Sequence, residues 1–221
     1  MGATKPGVNV QPRSPQRLPA GLAVAVLSFL LSACGGGTST PGAQRSSAAP
    51  ARGIGQGANQ SPVAVESNPP GDIPDSLAFV TFVSGPGRYR FSHPEGWLQL
   101  VKGTAVTLTG KLDGAYADVG PRTAPPTPAQ AQQDVSSLKT TQSAFELVSV
   151  TSANLPGGRG ILIVYRRNSD PDPVTGRQYR DEVQRYEVVA GGREVVLELW
   201  GPVGSDNVDA FRTVSQSLRI G

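Results

Sequence analysis

The chain has 221 residues, 38% of them apolar and 17% charged, with a formal net charge of +3. Lys5, Arg13 and Arg17 all precede the first apolar run with no acid among them, and beyond residue 33 the remaining 17 basic residues face 17 acidic ones. A neutral body excludes the basic footprint of a nucleic-acid partner, and a single cysteine beside a single histidine excludes an internal disulfide and the common zinc sites.

Residues 1–33 have the three parts of an export signal: a basic n-region, the apolar run LAVAVLSFLL at Leu22–Leu31, and small residues before a cut. From Leu18 to Cys34 the segment falls short of the roughly 20 apolar residues that span a bilayer. Leu31-Ser32-Ala33-Cys34 resembles the lipobox of bacterial lipoproteins, a branched apolar residue and two small ones before cysteine. That resemblance implies a diacylglyceryl thioether on Cys34, cleavage before it, and attachment to the extracytoplasmic face of a membrane. Two acyl chains hold stably where a single chain binds only marginally. Between Gly35 and Pro74 there is no aromatic residue, and 25 of the 40 positions are Gly, Ala, Pro or Ser. Such a composition buries too little apolar surface to offset its ordering entropy, so residues 34–74 read as a tether and 75–221 as the folded domain.

In the domain, short β-like runs alternate with Gly and Pro. LAFVTFV (Leu77–Val83), RYRFS (Arg88–Ser92), WLQLV (Trp97–Val101), AVTLTG (Ala105–Gly110) and AYADVG (Ala115–Gly120) predict a meander of antiparallel strands. Thr127 as N-cap, Pro128 in the first turn, and Ala131, Val135 and Leu138 on one face predict a helix of about three turns. Four further strands follow at Phe145–Val150, Gly160–Arg167, Tyr179–Val189 and Arg193–Trp200, the last two joined by the hairpin glycines Gly191 and Gly192. In the last strand Val195, Leu197 and Leu199 alternate with Glu194 and Glu198, one dry face and one wet. Ser205 as a cap and the stripe Val208, Phe211, Val214, Leu218 predict a closing helix. The expectation is an α+β domain: one antiparallel β-sheet with helices packed on it.

YRFSHPEGWLQL (Tyr89–Leu100), the following VKGTAVTL, and the ending REVVLELWGP…FRTVSQSLRI together resemble the PsbP-like family of extrinsic photosystem II proteins and their bacterial lipoprotein relatives. The resemblance runs from about Gly87 to Ile220, with Pro94, Gly96, Trp97 and Ser217-Leu218 its most specific elements. It implies a sheet sandwiched by helices and a non-enzymatic accessory role on a membrane-associated complex. Where photosystem II members commonly have an aspartate, this chain has Ala105.

The chemistry on offer is limited. His93, between Ser92 and Pro94, has no G-x-S-x-G elbow to serve and reads as a residue at a strand end. Asn168, Asp170 and Asp172 alternate in an acidic loop whose oxygens could hold calcium, although Pro173 stands where an EF-hand needs glycine. Arg166, Arg167, Arg177, Arg180 and Arg185 flank that loop, and cross-strand pairing with Asp181, Glu182 and Glu187 accounts for them. Trp97 and Trp200 are either core packing or the lining of a ligand pocket. The leading expectation is a lipid-anchored, non-catalytic domain that requires no cofactor and binds a protein or envelope partner. The alternatives are a calcium-binding photosystem II subunit and a small-ligand carrier.

Overall fold

A computed structural model of the chain describes residues 58–221. The expectations placed on the export signal, on Cys34 and on the start of the tether lie outside the described residues.

Ten strands and two helices follow one another as β1 (Phe79–Ser84), β2 (Tyr89–Pro94), β3 (Leu98–Lys102), β4 (Ala105–Thr109), β5 (Gly114–Pro121), α1 (Pro128–Thr141), β6 (Glu146–Leu155), β7 (Gly158–Asn168), β8 (Arg180–Ala190), β9 (Arg193–Pro202), α2 (Val208–Ser217) and β10 (Arg219–Ile220). Each predicted strand and helix is present, and the arrangement is α+β with every strand pair antiparallel. There are two sheets where one was expected: a small one in the order β1-β2-β10 and a seven-stranded one in the order β3-β4-β5-β9-β8-β7-β6. The first hairpin leaves the meander because Phe82, Tyr89 and Phe91 all point inward, their rings 5.8 to 6.4 Å apart, and seat it across the large sheet.

The large sheet therefore carries a packed layer on each face, with α1 covering only part of one. On one, Val106, Leu108, Val195, Leu197 and Leu199 pack against the small sheet and against Phe211, Val214 and Leu218 of the C-terminal segment. On the other, Ala131, Val135 and Leu138 of α1 pack against Ile161, Ile163, Tyr165 and Val183. Thr127 and Gln130 form the capping box that starts α1, each side chain receiving the other's backbone N–H. In the β8–β9 hairpin Gly191 and Gly192 have φ of 56° and 74°, the left-handed pair that a two-residue turn requires.

Three local expectations are corrected. The folded region begins before Asp75: Ile73 is buried in the first core, its N–H donates to Asn207 Oδ1 at 2.8 Å, and Val63 N–H donates to Asn168 Oδ1 at 3.0 Å. One isoleucine and a few backbone hydrogen bonds thus bind down a segment whose composition is otherwise that of a tether. Asn207, not Ser205, is the N-cap residue of α2, because Ser205 Oγ donates instead to the Pro202 carbonyl. Val208 lies outside the buried stripe and is exposed, while Ala210 and Ser215 complete the inward face.

Candidate functional site

Strand α-face partners can be followed across the large sheet by register. Leu98, Thr109, Gly114, Trp200, Val183 and Tyr165 form one row, and Leu100, Thr107, Tyr116, Glu198, Arg185 and Ile163 the next. Cross-strand partners share a face, so both rows lie on the side that carries α1. That helix packs on β6 and β7, and the rows emerge from beneath it at Tyr165, Val183 and Ile163, the second turning polar from Arg185 on β8 through Glu198, Tyr116 and Thr107 and the first only at Thr109, and both end on β3. There Leu98 and Leu100 are 73% and 68% exposed.

At the end of this uncovered region where Trp200 stands, the β7–β8 loop, residues 169–179, rises as a wall beside an open-sided cavity of about 510 Å³. The volume lies within the range of small-molecule sites. Trp200 forms part of the lining and leans over Gly114 of the neighbouring strand, where a Cβ would clash with the indole. Only glycine leaves room for the ring there. The guanidinium of Arg167 lies 5.6 Å from the Trp200 ring centroid and is held by a hydrogen bond from its Nη1 to Gln142 Oε1 at 2.9 Å, beside the C-terminus of α1.

Asp181 is directly opposite Arg167 in the β7–β8 register. It is 2% exposed, yet its Oδ1 has no hydrogen-bond partner, and neither has the buried Nε of Arg167. The expected cross-strand ion pair is therefore absent here, although such pairs form elsewhere, Arg166 with Glu182 at 3.3 Å and Arg185 with Glu198 at 2.7 Å, while Glu187 is bound by Arg185 of its own strand at 2.7 Å. Burial pushes the Asp181 carboxyl up to about 7, with Arg167 and Arg180 pulling down and Asp170 pushing up. Asp113, which also borders the cavity, is 5% exposed, and burial pushes its carboxyl up to about 6. On the floor, Glu198 is fixed by Arg185 and by the Tyr165 hydroxyl, which donates to its Oε1 at 3.4 Å.

The acidic loop residues have different surroundings. Asn168 is buried, with Nδ2 donating to the Ser61 carbonyl at 2.9 Å and Oδ1 accepting from Val63 and from Arg180. Asp172 Oδ1 accepts from the Val174 and Thr175 backbones and from the Thr175 hydroxyl, an Asx turn. Asp170 is exposed on the cavity wall. Among the described residues no group of three or more His, Cys, Asp or Glu side chains converges as a metal site. His93 is buried in the small sheet, its Nδ1 2.9 Å from the Pro94 carbonyl and its ring stacked 6.4 Å from Trp97. Trp97 packs against the first core, so of the two tryptophans Trp200 alone lines the cavity. Asp113 and Arg167 carry no sequence signal of a shared site, since they meet only through the pairing of β5 with β9, of β9 with β8 and of β8 with β7.

No protein-family model matches the chain, and no curated protein matches it in sequence. Solved structures similar to it include cyanobacterial PsbP from Synechocystis sp. PCC 6803, 16% identical, covering 70% of this chain and 100% of that one with a TM-score of 0.45. The Saccharomyces cerevisiae Ran-binding protein Mog1p is 9% identical over 66% of this chain and 96% of its own, also at 0.45. LpqN of Mycobacterium tuberculosis, described as involved in cell envelope biogenesis, is 15% identical over 66% of this chain and 91% of its own, at 0.37.

Proposed function

We propose that this protein is a lipid-anchored extracytoplasmic protein whose single α+β domain binds a cell-envelope or membrane-complex partner without catalysing a reaction. The observation that carries the binding role is the open half of the large sheet. It runs from the cavity at Trp200 to Leu98 and Leu100 on the edge strand, an apolar margin that nothing within the described residues covers. The anchor rests on the Leu31-Ser32-Ala33-Cys34 lipobox after a basic, apolar leader. Absence of catalysis is favoured by the position of His93, whose Nδ1 is taken up by the adjoining Pro94 carbonyl. Among the described residues no helix is long and apolar enough to cross a membrane; in this reading the lipid on Cys34 provides the attachment.

Two experiments separate the halves of this reading. Cys34→Ser, or globomycin, is expected to leave the precursor unprocessed and to abolish lipid-dependent membrane attachment. Unchanged size and attachment would overturn the anchor. A photo-crosslinking residue at Leu100 is expected to capture one envelope component reproducibly, and the same residue at exposed Asp209 on α2 is expected to capture none. Equal capture at both positions would overturn the docking face.

A second reading, a small-ligand carrier, is favoured by the open-sided cavity at Trp200. Calcium at Asn168, Asp170 and Asp172 stands as a further proposal. An ion there would compete with the guanidinium of Arg180 and the Val63 N–H for Asn168 Oδ1.

A further inference from the structure

At the Trp200 end of the sheet two residues that border the cavity each hold a buried polar atom, one an acceptor and one a donor, that the fold leaves unused. Asp181 Oδ1 and Arg167 Nε belong to directly opposed residues, both atoms are buried, and neither has a partner. An unmade hydrogen bond at a buried charged group costs more than an ordinary bond contributes. Register pairs of this kind in the same sheet do close: Arg166 is bonded to Glu182 one position away. Arg167 is kept from closing by Gln142, which takes its Nη1, and by its seat over the Trp200 ring.

A ligand group that satisfied both atoms would accept from the guanidinium and donate to the carboxyl. A hydroxyl does both, whereas an ammonium only donates and a carboxylate or phosphate only accepts. A cationic ligand would also meet Arg167 already lying on the indole, and an anionic one would meet Asp113, Asp181 and Glu198 around the same space. Further hydroxyl partners line the cavity at Thr107, Thr109 and Tyr116, and the part-exposed Trp200 offers a flat apolar surface for C–H groups.

From this we infer that the cavity between Trp200 and the β7–β8 loop is a binding site for a neutral, hydroxyl-rich ligand, a saccharide unit, with one hydroxyl bridging Arg167 Nε and Asp181 Oδ1 over the Trp200 ring. The inference rests on the domain being a binding module and makes no use of the lipid anchor or of the Leu98–Leu100 margin. Partner capture at Leu100 therefore stands or falls separately.

The test uses the full chain purified in detergent, titrated with glucose, galactose, mannose, arabinose and N-acetylglucosamine. The Trp200 indole N–H resonance is followed by NMR, with cadaverine and citrate as charged controls. Saturable shifts of the Trp200 signal by at least one sugar are expected, with cadaverine and citrate producing none. Asp181→Asn is expected to weaken that sugar at least tenfold, as is Arg167→Met, whereas Asp209→Asn on the far helix leaves it unchanged. No saturable shift with any of the sugars would overturn the inference, meaning that water alone fills the gap. Tighter binding of cadaverine or citrate, or affinity indifferent to Asp181→Asn, would overturn it as well. The wild-type titration decides the matter on its own should either variant fold poorly.

Discussion

A carboxyl that is buried opposite an arginine and still unbonded makes stability depend on its proton. Asp181 has a folded-state pKa of about 7, against about 3.9 in an unfolded chain. Between those values the folded state holds a proton that the unfolded state has released, so this group's contribution to stability is greatest below pH 4, declines as pH rises to 7, and is level above it. Asp181→Asn keeps the shape and removes the ionisation. It is expected to be more stable than the parent at pH 8, by on the order of 1–3 kcal/mol, and nearly equal to it at pH 4. Urea midpoints at the two values check this, and a difference of the same size at both would show that Asp181 does not titrate in this window. Sequence alone could not single out this residue. Its strand, its neighbours Arg180 and Glu182, and the arginine across from it all point to a routine cross-strand pair. What sets it apart is the capture of Arg167 by Gln142, a residue 25 positions away.

At the scale of elements, hydrophobic alternation and turn residues make the strands legible because each signal lies within a few residues. The dry face of β9 and the apolar stripe of α1 occur as the spacing predicts, and Gly191-Gly192 makes the hairpin that two glycines favour. Legibility fails where a segment is held by distant partners. The two-residue β10 exists because β2 offers it an edge, pairing Arg219 with Arg90 and Ile220 with Tyr89. The segment before Asp75 reads as tether by composition, but two asparagines far along the chain fasten it, Asn168 at Val63 and Asn207 at Ile73. These two fastenings should respond separately. Asn168→Ala is expected to accelerate amide exchange at Val63, leave Ile73 protected, and cost about 1–3 kcal/mol. Ile73→Ala removes a buried side chain from the first core and is expected to cost about 2–4 kcal/mol, measured by chemical denaturation. If Ile73→Ala left global stability unchanged, the segment would be tether up to Asp75 after all.

For the folded domain as a whole, two cores share one sheet, and the same strands serve both. In β8, Val183 faces α1 while Tyr186 and Val188 face the small sheet; in β9, Leu197 and Leu199 face the small sheet while Trp200 faces the α1 side. Loss of either core strips one face of strands that the other core needs for its own register, so the two should unfold together. The chain has two tryptophans, and each reports one side: Trp97 packs against the first core and Trp200 against the second. In Trp97→Phe and Trp200→Phe proteins the remaining tryptophan is thus a local probe. Adding Ile163→Ala, beneath α1, to both is expected to lower the urea midpoints read by Trp97 and by Trp200 equally, for a loss of about 2–5 kcal/mol. Phe211→Ala, on the opposite face, is expected to do the same at about 3–5 kcal/mol. Should Ile163→Ala move the Trp200 midpoint and leave that of Trp97 in place, the α1 layer would be a separate cooperative unit. The wall of the cavity, which joins β7 to β8 on that side, could then open without unfolding the rest.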